Sequence, residues 1–323
     1  MPERYVKQGP VGSSIYADVS RAIDTFSNNR IVALKTTIPD ELRPPHDALK
    51  EAALLRSFLA DRPAHITELL DDWMEDDGLD QQLTIVLPFY ELDLTTLLKH
   101  HRGPDGANTL PIARADRIMN ELADALYFLH SRDVIHRDIK PANLMFTGTG
   151  NTADSQLKLI DFDIAWLGPD NYGKEPADQK ITDVGSGTYR APELLFGIEN
   201  YGARLDMWAV GCIACQLYAS ESTASAISPF HNENSKSSDI ALIGAIFETL
   251  GVPTTETWPE VADVESFQHM QFRVDPAQKR SFEQLAPRAT AVMHTQVLPR
   301  LLCCSESARL PAAELLELVK TAD

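Results

Sequence analysis

The sequence predicts an α+β fold in two parts, a small antiparallel sheet followed by a larger, mainly helical region. Three observations carry this. Two strand-like runs, Ser14–Val19 and Arg30–Lys35, flank Phe26-Ser27-Asn28-Asn29, and two more follow at His65–Trp73 and Leu83–Leu87. Ala115 to Ser131 then carries Ile118, Leu122, Leu126 and Leu129 at steps of four, four and three, the apolar stripe of an amphipathic helix. Finally, the chain has 323 residues, more than the roughly 250–300 at which a single core stops growing.

Taken in order, Gly9 and Gly12 precede the first run as a loop, and the two runs read as a hairpin. His46 to Phe58 has helical spacing, with Leu49, Ala52 or Ala53 and Leu55 toward the core. Met74 to Gln82 is acidic and reads as an exposed turn. Asp93-Leu94-Thr95-Thr96-Leu97-Leu98 begins a helix, and Arg102–Gly106 is a loop. Phe146 to Gln156 reads as a lengthened turn before the strand Leu157–Ile160, and Ser220 to Asp239 as a long Ser/Asn-rich loop.

Hydrophobic residues at 44% and charged residues at 24% exclude a disordered or fibrous chain. A formal net charge of −18 argues against general affinity for nucleic acid or anionic lipid. The longest apolar tract, Met207 to Ala219, falls short of the roughly 20 residues that span a bilayer. The expectation is a soluble intracellular protein, cytoplasmic or nuclear, with no nucleic-acid or membrane partner. Cys212 and Cys215, in an apolar helical tract, read as core residues, as do Cys303 and Cys304.

One stretch organises the chemistry. His136-Arg137-Asp138-Ile139-Lys140-Pro141-Ala142-Asn143 sets an acid, a lysine and an amide two and five residues apart on one loop. Around it, in order, stand Val32-Ala33-Leu34-Lys35, a strand ending in lysine; Asp161-Phe162-Asp163 after a short strand; Ser186-Gly187-Thr188-Tyr189-Arg190-Ala191-Pro192-Glu193; Asp206-Met207-Trp208; and Leu250-Gly251-Val252-Pro253 through Trp258-Pro259. Nearly the whole chain, Gly9 to about Val319, resembles the eukaryotic Ser/Thr protein kinases, within them the cyclin-dependent-kinase-like group.

That resemblance implies a bilobal kinase fold: an N-terminal nucleotide-binding lobe over 1–87, a hinge at 88–90 and a catalytic, substrate-binding lobe over 91–323. It implies ATP and Mg²⁺. Lys35 would reach the α- and β-phosphates with Glu51 as its ion-pair partner, and Asp138 would be the base or orienting group for the acceptor hydroxyl. Lys140 would offset charge on the transferred group, and Ser186 would bond both Asp138 and Lys140. Asn143 and Asp161 would hold magnesium. Gly9, Gly12, Ser13 and Ile15 would close over the phosphates, although the two glycines are three apart and Ser13 stands where a third glycine is usual. Ala33, Leu87 as gatekeeper, Pro88, Tyr90 and Asp93 would complete the nucleotide site, with adenine edge-on to the Pro88 and Tyr90 backbone.

Asp206 is implied to anchor the catalytic loop, Glu193 to pair with Arg309, and a phosphate at or near Thr182 to pair with Arg137. Val184 and Arg190 are compatible with an acceptor followed by proline. Asp163 departs from the family's Asp-Phe-Gly, which implies a stiffer motif and altered metal affinity, since glycine reaches backbone angles that cost aspartate energy. Arg43-Pro44-Pro45-His46-Asp47 replaces the cyclin-contacting helix sequence, so cyclin dependence is doubtful. With Asp163, it resembles the fungal single-chain kinases that activate cyclin-dependent kinases. The partners expected are a protein substrate, on the finer resemblance another kinase, and the protein is expected to be a monomer. Two functions stand: a Ser/Thr protein kinase, or a nucleotide-binding pseudokinase acting as a scaffold, motivated by the irregular glycine loop and Asp163.

Overall fold

The computed structural model describes residues 4–13, 16–76, 78, 80–148, 154–168, 175–220, 228–231, 238–272 and 279–320. The chain divides into two compact units, residues 1–92 with 145–165 and residues 93–144 with 166–323. Most of the Ser220 to Asp239 stretch expected as a loop lies outside the described residues.

The first unit is built on a five-stranded sheet with the order β1-β2-β3-β5-β4. β1 is Tyr5–Ser13, β2 Asp18–Asp24, β3 Arg30–Thr37, β4 Asp71–Asp76 and β5 Gln81–Pro88, and every neighbouring pair is antiparallel. Tyr5, Ala22, Val32, Leu34 and Val86 form its core, with Trp73 packed against them. Tyr5 stacks on Trp73 with ring centroids 5.4 Å apart and donates its hydroxyl to Asp71 at 2.8 Å.

Three expectations for this sheet differ from what is seen. Gly9 and Gly12 lie inside β1 rather than in a loop before it. Apart from Tyr5 that strand is largely exposed, so no apolar alternation marks it. It is an edge strand, and its ladder shifts register on either side of Gly9 and Pro10, which is where sheets tolerate proline. β2 accordingly starts at Asp18, later than the predicted run. β4 starts at Asp71 because His65 and Thr67 are drawn off elsewhere: Leu159 donates its N–H to the His65 carbonyl and accepts from the Thr67 N–H, each at 2.9 Å. The predicted turn over Met74–Gln82 is shorter, since Glu75 pairs with Gln82 and Asp76 with Gln81. Backbone pairing at an exposed strand end is indifferent to charged side chains that point into water.

Helix α1, Ala48–Ser57, begins at Asp47, whose carboxylate accepts the Lys50 N–H at 2.9 Å. It buries Ala48, Glu51, Ala52, Leu54 and Leu55. Leu49, expected toward the core, is 53% exposed. The helix starts one residue before it, and the stripe through 48, 51, 52 and 55 leaves position 49 on the outer flank.

In the second unit, α2 (Leu94–His100) is capped by Asp93, which accepts the Thr96 N–H at 2.6 Å. α3 (Ile112–His130) buries Ile118, Leu122, Leu126 and Leu129, as its spacing predicts, and packs on the helix Ala312–Lys320. α5 is Arg204–Leu217, buried throughout from Leu205, which explains why its sequence is apolar all round. Gly211 is required there: a Cβ would sit 2.7 Å from Leu302 Cδ2. Cys212 and Cys215 are buried as expected, but Cys303 and Cys304 are only half-buried, with their carbonyls serving Arg309. Among the described residues no helix is long and apolar enough to cross a membrane.

Candidate active site

The loop His136 to Asn143 follows the two-residue strand Val134–Ile135, which pairs with Trp166–Leu167. Asp206, near the start of α5, fixes the loop's backbone. Its two carboxylate oxygens accept the N–H groups of His136 at 2.9 Å and Arg137 at 2.8 Å, and a further bond comes from His130 Nε2 at 2.9 Å. Burial pushes the Asp206 carboxyl up, but the His130 hydrogen bond and the His136 N–H outweigh it and hold it below its ordinary value. Arg137 takes φ 68°, a left-handed conformation imposed by these bonds.

So held, the loop presents Asp138 as a shared acceptor. Oδ1 accepts the Ser186 hydroxyl at 2.7 Å, and Oδ2 accepts Lys140 Nζ at 2.7 Å and Asn143 Nδ2 at 3.2 Å. Lys140 also donates to Ser186 Oγ at 2.8 Å, and Asn143 Nδ2 to the Asp138 carbonyl at 2.8 Å. The structure thus brings together four of the expected residues, with Ser186, Lys140 and Asn143 all donating to the Asp138 carboxylate. Both Asn143 bonds use its amide nitrogen.

Arg137 holds a pair that sequence reasoning missed. Its Nη1 and Nη2 donate to the two carboxylate oxygens of Glu175, the second at 3.1 Å, and Nη1 also meets the Tyr201 hydroxyl at 3.1 Å. Glu175 accepts the Ile181 N–H at 2.7 Å as well. The resemblance implied a phosphate at or near Thr182 as a partner for Arg137; in this structure the Glu175 carboxylate meets that guanidinium. Glu175 sits in irregular chain without periodicity, so nothing in the sequence marked it.

In the first unit, Lys35 near the end of β3 lies between two carboxylates, Glu51 Oε2 at 2.7 Å and Asp161 Oδ1 at 2.8 Å. Burial would lower the Lys35 pKa, but Asp161, Glu51 and Asp163 raise it well above its ordinary value, so the ammonium is fixed as a charge. Burial pushes Glu51 upward, with Lys35 opposing. Glu51 Oε1 accepts the Phe162 N–H at 3.1 Å, and the Phe162 ring is buried edge-on to Phe58, centroids 6.3 Å apart. The left-handed residue of the Asp161-Phe162-Asp163 motif is Asp161, at φ 70°. Asp163 has no positive φ, so aspartate sits there without the backbone cost that motivated glycine.

The remaining expected nucleotide residues are distributed as follows. Gly9, Gly12 and Ser13 are in β1, and Ser13 Oγ donates to Asp18 at 2.7 Å. A Cβ on either glycine would meet nothing within 4 Å, so neither is demanded by packing. Ile15 lies outside the described residues. Ala33 pairs with Leu87 and Val32 with Pro88 between β3 and β5. The Tyr90 hydroxyl lies 3.3 Å from Thr67 Oγ1, and burial pushes its pKa up to about 12. Asp93 is taken up as the α2 cap.

Compared with known proteins, residues 5–318 match the protein kinase domain. The chain belongs to the protein kinase family. Serine/threonine-protein kinase CAK1 of Saccharomyces cerevisiae is 31% identical over 264 residues, 71% of this chain and 71% of the yeast one. Cyclin-dependent kinase D-1 of Oryza sativa subsp. japonica is 30% identical over 316 residues, 98% of this chain and 66% of the rice protein. Cyclin-dependent kinase 7 of Xenopus laevis is 32% identical over 267 residues, 82% of this chain and 67% of the frog protein. The crystal structure of the yeast RNA Pol II CTD kinase CTDK-1 complex matches with a TM-score of 0.75, covering 97% of this chain and 91% of that one at 24% identity, and so shows the fold. The expected Ser/Thr kinase of the cyclin-dependent-kinase-like group is borne out by these relatives. They give no support to a pseudokinase.

The kinase's other motif residues are structural. Arg309 is buried, donates to both oxygens of Glu193 at 2.7 and 2.9 Å, and spends its remaining donors on the carbonyls of Cys303, Cys304 and Arg204. Trp258, from the Leu250–Pro259 stretch, packs edge-on to Phe196 at 5.4 Å, immediately after the short helix α4 (Pro192–Leu195) that carries Glu193. Arg190 Nε donates to the Val184 carbonyl at 3.2 Å. Between them in sequence Gly185 takes φ +80°, and a Cβ there would lie 3.2 Å from Arg190 Cγ.

Proposed function

We propose that this kinase transfers the γ-phosphoryl group of ATP, with magnesium, to a serine or threonine hydroxyl of another kinase, in the activation loop of a cyclin-dependent kinase. It would act as a monomer in the cytoplasm or nucleus. The observation that carries the transfer is Asp138, bonded at once to Ser186, Lys140 and Asn143.

Asp138 receives the acceptor hydroxyl and its proton. Lys140 offsets charge on the group in flight, and Ser186 keeps both in place. Lys35, fixed by Glu51, binds the α- and β-phosphates. Asp161, partly exposed beside Lys35, and the Asn143 oxygen are hard oxygen donors, the kind magnesium takes singly or in pairs together with phosphate oxygens and water. Bound magnesium supplies neutralising charge at the phosphate oxygens. We assign the Pro88 carbonyl and the Tyr90 backbone to the adenine edge, Gly9, Gly12 and Ser13 to the phosphates, and Ala33, Leu87 and Asp93 to the remaining nucleotide contacts. The substrate class is supported by the likeness to the yeast kinase and by the Arg43–Asp47 sequence.

The test is a recombinant cyclin-dependent kinase, itself made inactive, incubated with this kinase, magnesium and labelled ATP and no added cyclin. Label on its activation-loop threonine is expected. Transfer to other proteins but none to that threonine would overturn the substrate assignment.

A further inference from the structure

Asp163 stands where the family resemblance implies glycine, and its carboxylate is fully engaged. Oδ2 is bonded to His46 Nδ1, and Oδ1 accepts the Asp47 N–H at 3.1 Å. The same N–H lies 3.1 Å from the Asp163 carbonyl. Asp47 is the N-cap of α1, so these bonds end on the first turn of that helix, where its dipole favours a negative group. One turn further on, Glu51 holds both the Phe162 N–H and Lys35. The His46 ring is stacked on Tyr16, centroids 3.6 Å apart and planes 23° apart, in the turn between β1 and β2. Helix α1 is therefore tied to residues 161–163 at two successive turns, and the first tie uses side-chain atoms that glycine lacks. The Asp163 and His46 side chains are 13% and 21% exposed, which shields their bond from solvent more than a surface pair would be.

We propose that Asp163 is a positioning residue, a latch that holds α1 in the register where Glu51 engages Lys35, so that no second protein has to press the helix into place. This rests on the protein kinase reading. It assigns a purpose to the departure from glycine: conformational freedom at the third position of the motif is given up for a permanent tie to the helix cap. His46 is the other half of the latch, and Tyr16, just before β2, stacks on it.

The experiment compares wild type with Asp163→Gly, Asp163→Asn and His46→Ala in the full chain. It measures kcat and KM for ATP without added partner, and amide hydrogen exchange over 48–57 in nucleotide-free protein. Removing two partly buried, charge-assisted bonds should lower kcat/KM on the order of tenfold or more in Asp163→Gly. Exchange in α1 should quicken while α3 exchanges as in wild type. His46→Ala should show a smaller change of the same kind. Asp163→Asn keeps an acceptor for the Asp47 N–H and a polar partner for His46, and should recover most of the loss. Wild-type kinetics and wild-type α1 exchange in Asp163→Gly would overturn the latch. Exchange rising equally in α1 and α3 would overturn it too, because it would show a general loss of stability. Absence of transfer by wild type would count against the kinase reading alone, and the exchange comparison would still decide the latch.

Discussion

Glu175 receives both terminal nitrogens of Arg137, and that guanidinium is fully buried, at 0% side-chain exposure. A carboxylate supplied by the chain itself thus meets the arginine that precedes Asp138. The arrangement needs no added phosphate to compensate the buried cation.

Thr182→Ala should therefore keep the wild-type transfer rate, because the bond at Thr182 uses its backbone carbonyl, which accepts from Arg190. Glu175→Ala should lose activity and unfold at lower urea, since stranding a buried charge costs about 3–5 kcal/mol. Rates with phosphatase-treated protein and urea midpoints check both. A Thr182→Ala variant without activity would contradict the assignment.

Glu193 and Arg309 make a second buried pair, 116 residues apart in sequence. Truncating either to alanine should destabilise the kinase by about 3–5 kcal/mol, read as a lower denaturation midpoint. The KM for ATP of whatever folded protein remains should be unchanged.

Acid should weaken the fold through Asp206, whose folded pKa lies below its ordinary 3.8. The unfolded chain takes up this proton first as pH falls. The contribution is thus complete above the ordinary carboxylate value and lost as pH drops through the lower folded value. Melting temperatures of wild type and Asp206→Asn, followed from neutral pH down to strong acid, should differ most at neutral pH and converge at the acid end. A gap that widens toward acid would refute this sign.

Gly211→Ala should destabilise by about 1–3 kcal/mol through overpacking, because the new methyl would meet the Leu302 side chain at 2.7 Å with Leu301 Cβ at 3.0 Å behind it. Thermal unfolding measures it, and a neutral effect would mean that the Leu302 side chain can move aside.

What the sequence revealed, it revealed through spacing. The run from His136 to Asn143 fixed Asp138, Lys140 and Asn143 on one loop, and the structure joins them to Ser186, 48 residues on from Asp138. Glu51 was found only because Lys35 needed a partner; its own helix pattern looks like any solvated position. Three features stayed hidden for physical reasons. β1 has one buried side chain and two register shifts, so it lacks alternation. The His65–Thr67 stretch has strand-like residues, but its hydrogen bonds go to Leu159, a choice made by tertiary packing. Glu175 and His46 act through partners 38 and 117 residues away, and ion pairs in irregular chain leave no period to detect.

The most direct measurement is transfer of label from γ-labelled ATP, with magnesium, to protein substrates by wild type and by Asp138→Asn, both shown to be folded. Wild type should phosphorylate serine or threonine, and the variant should be slower by about 10²-fold or more. No transfer by wild type to any substrate, or equal rates for the two proteins, would contradict a kinase working through Asp138.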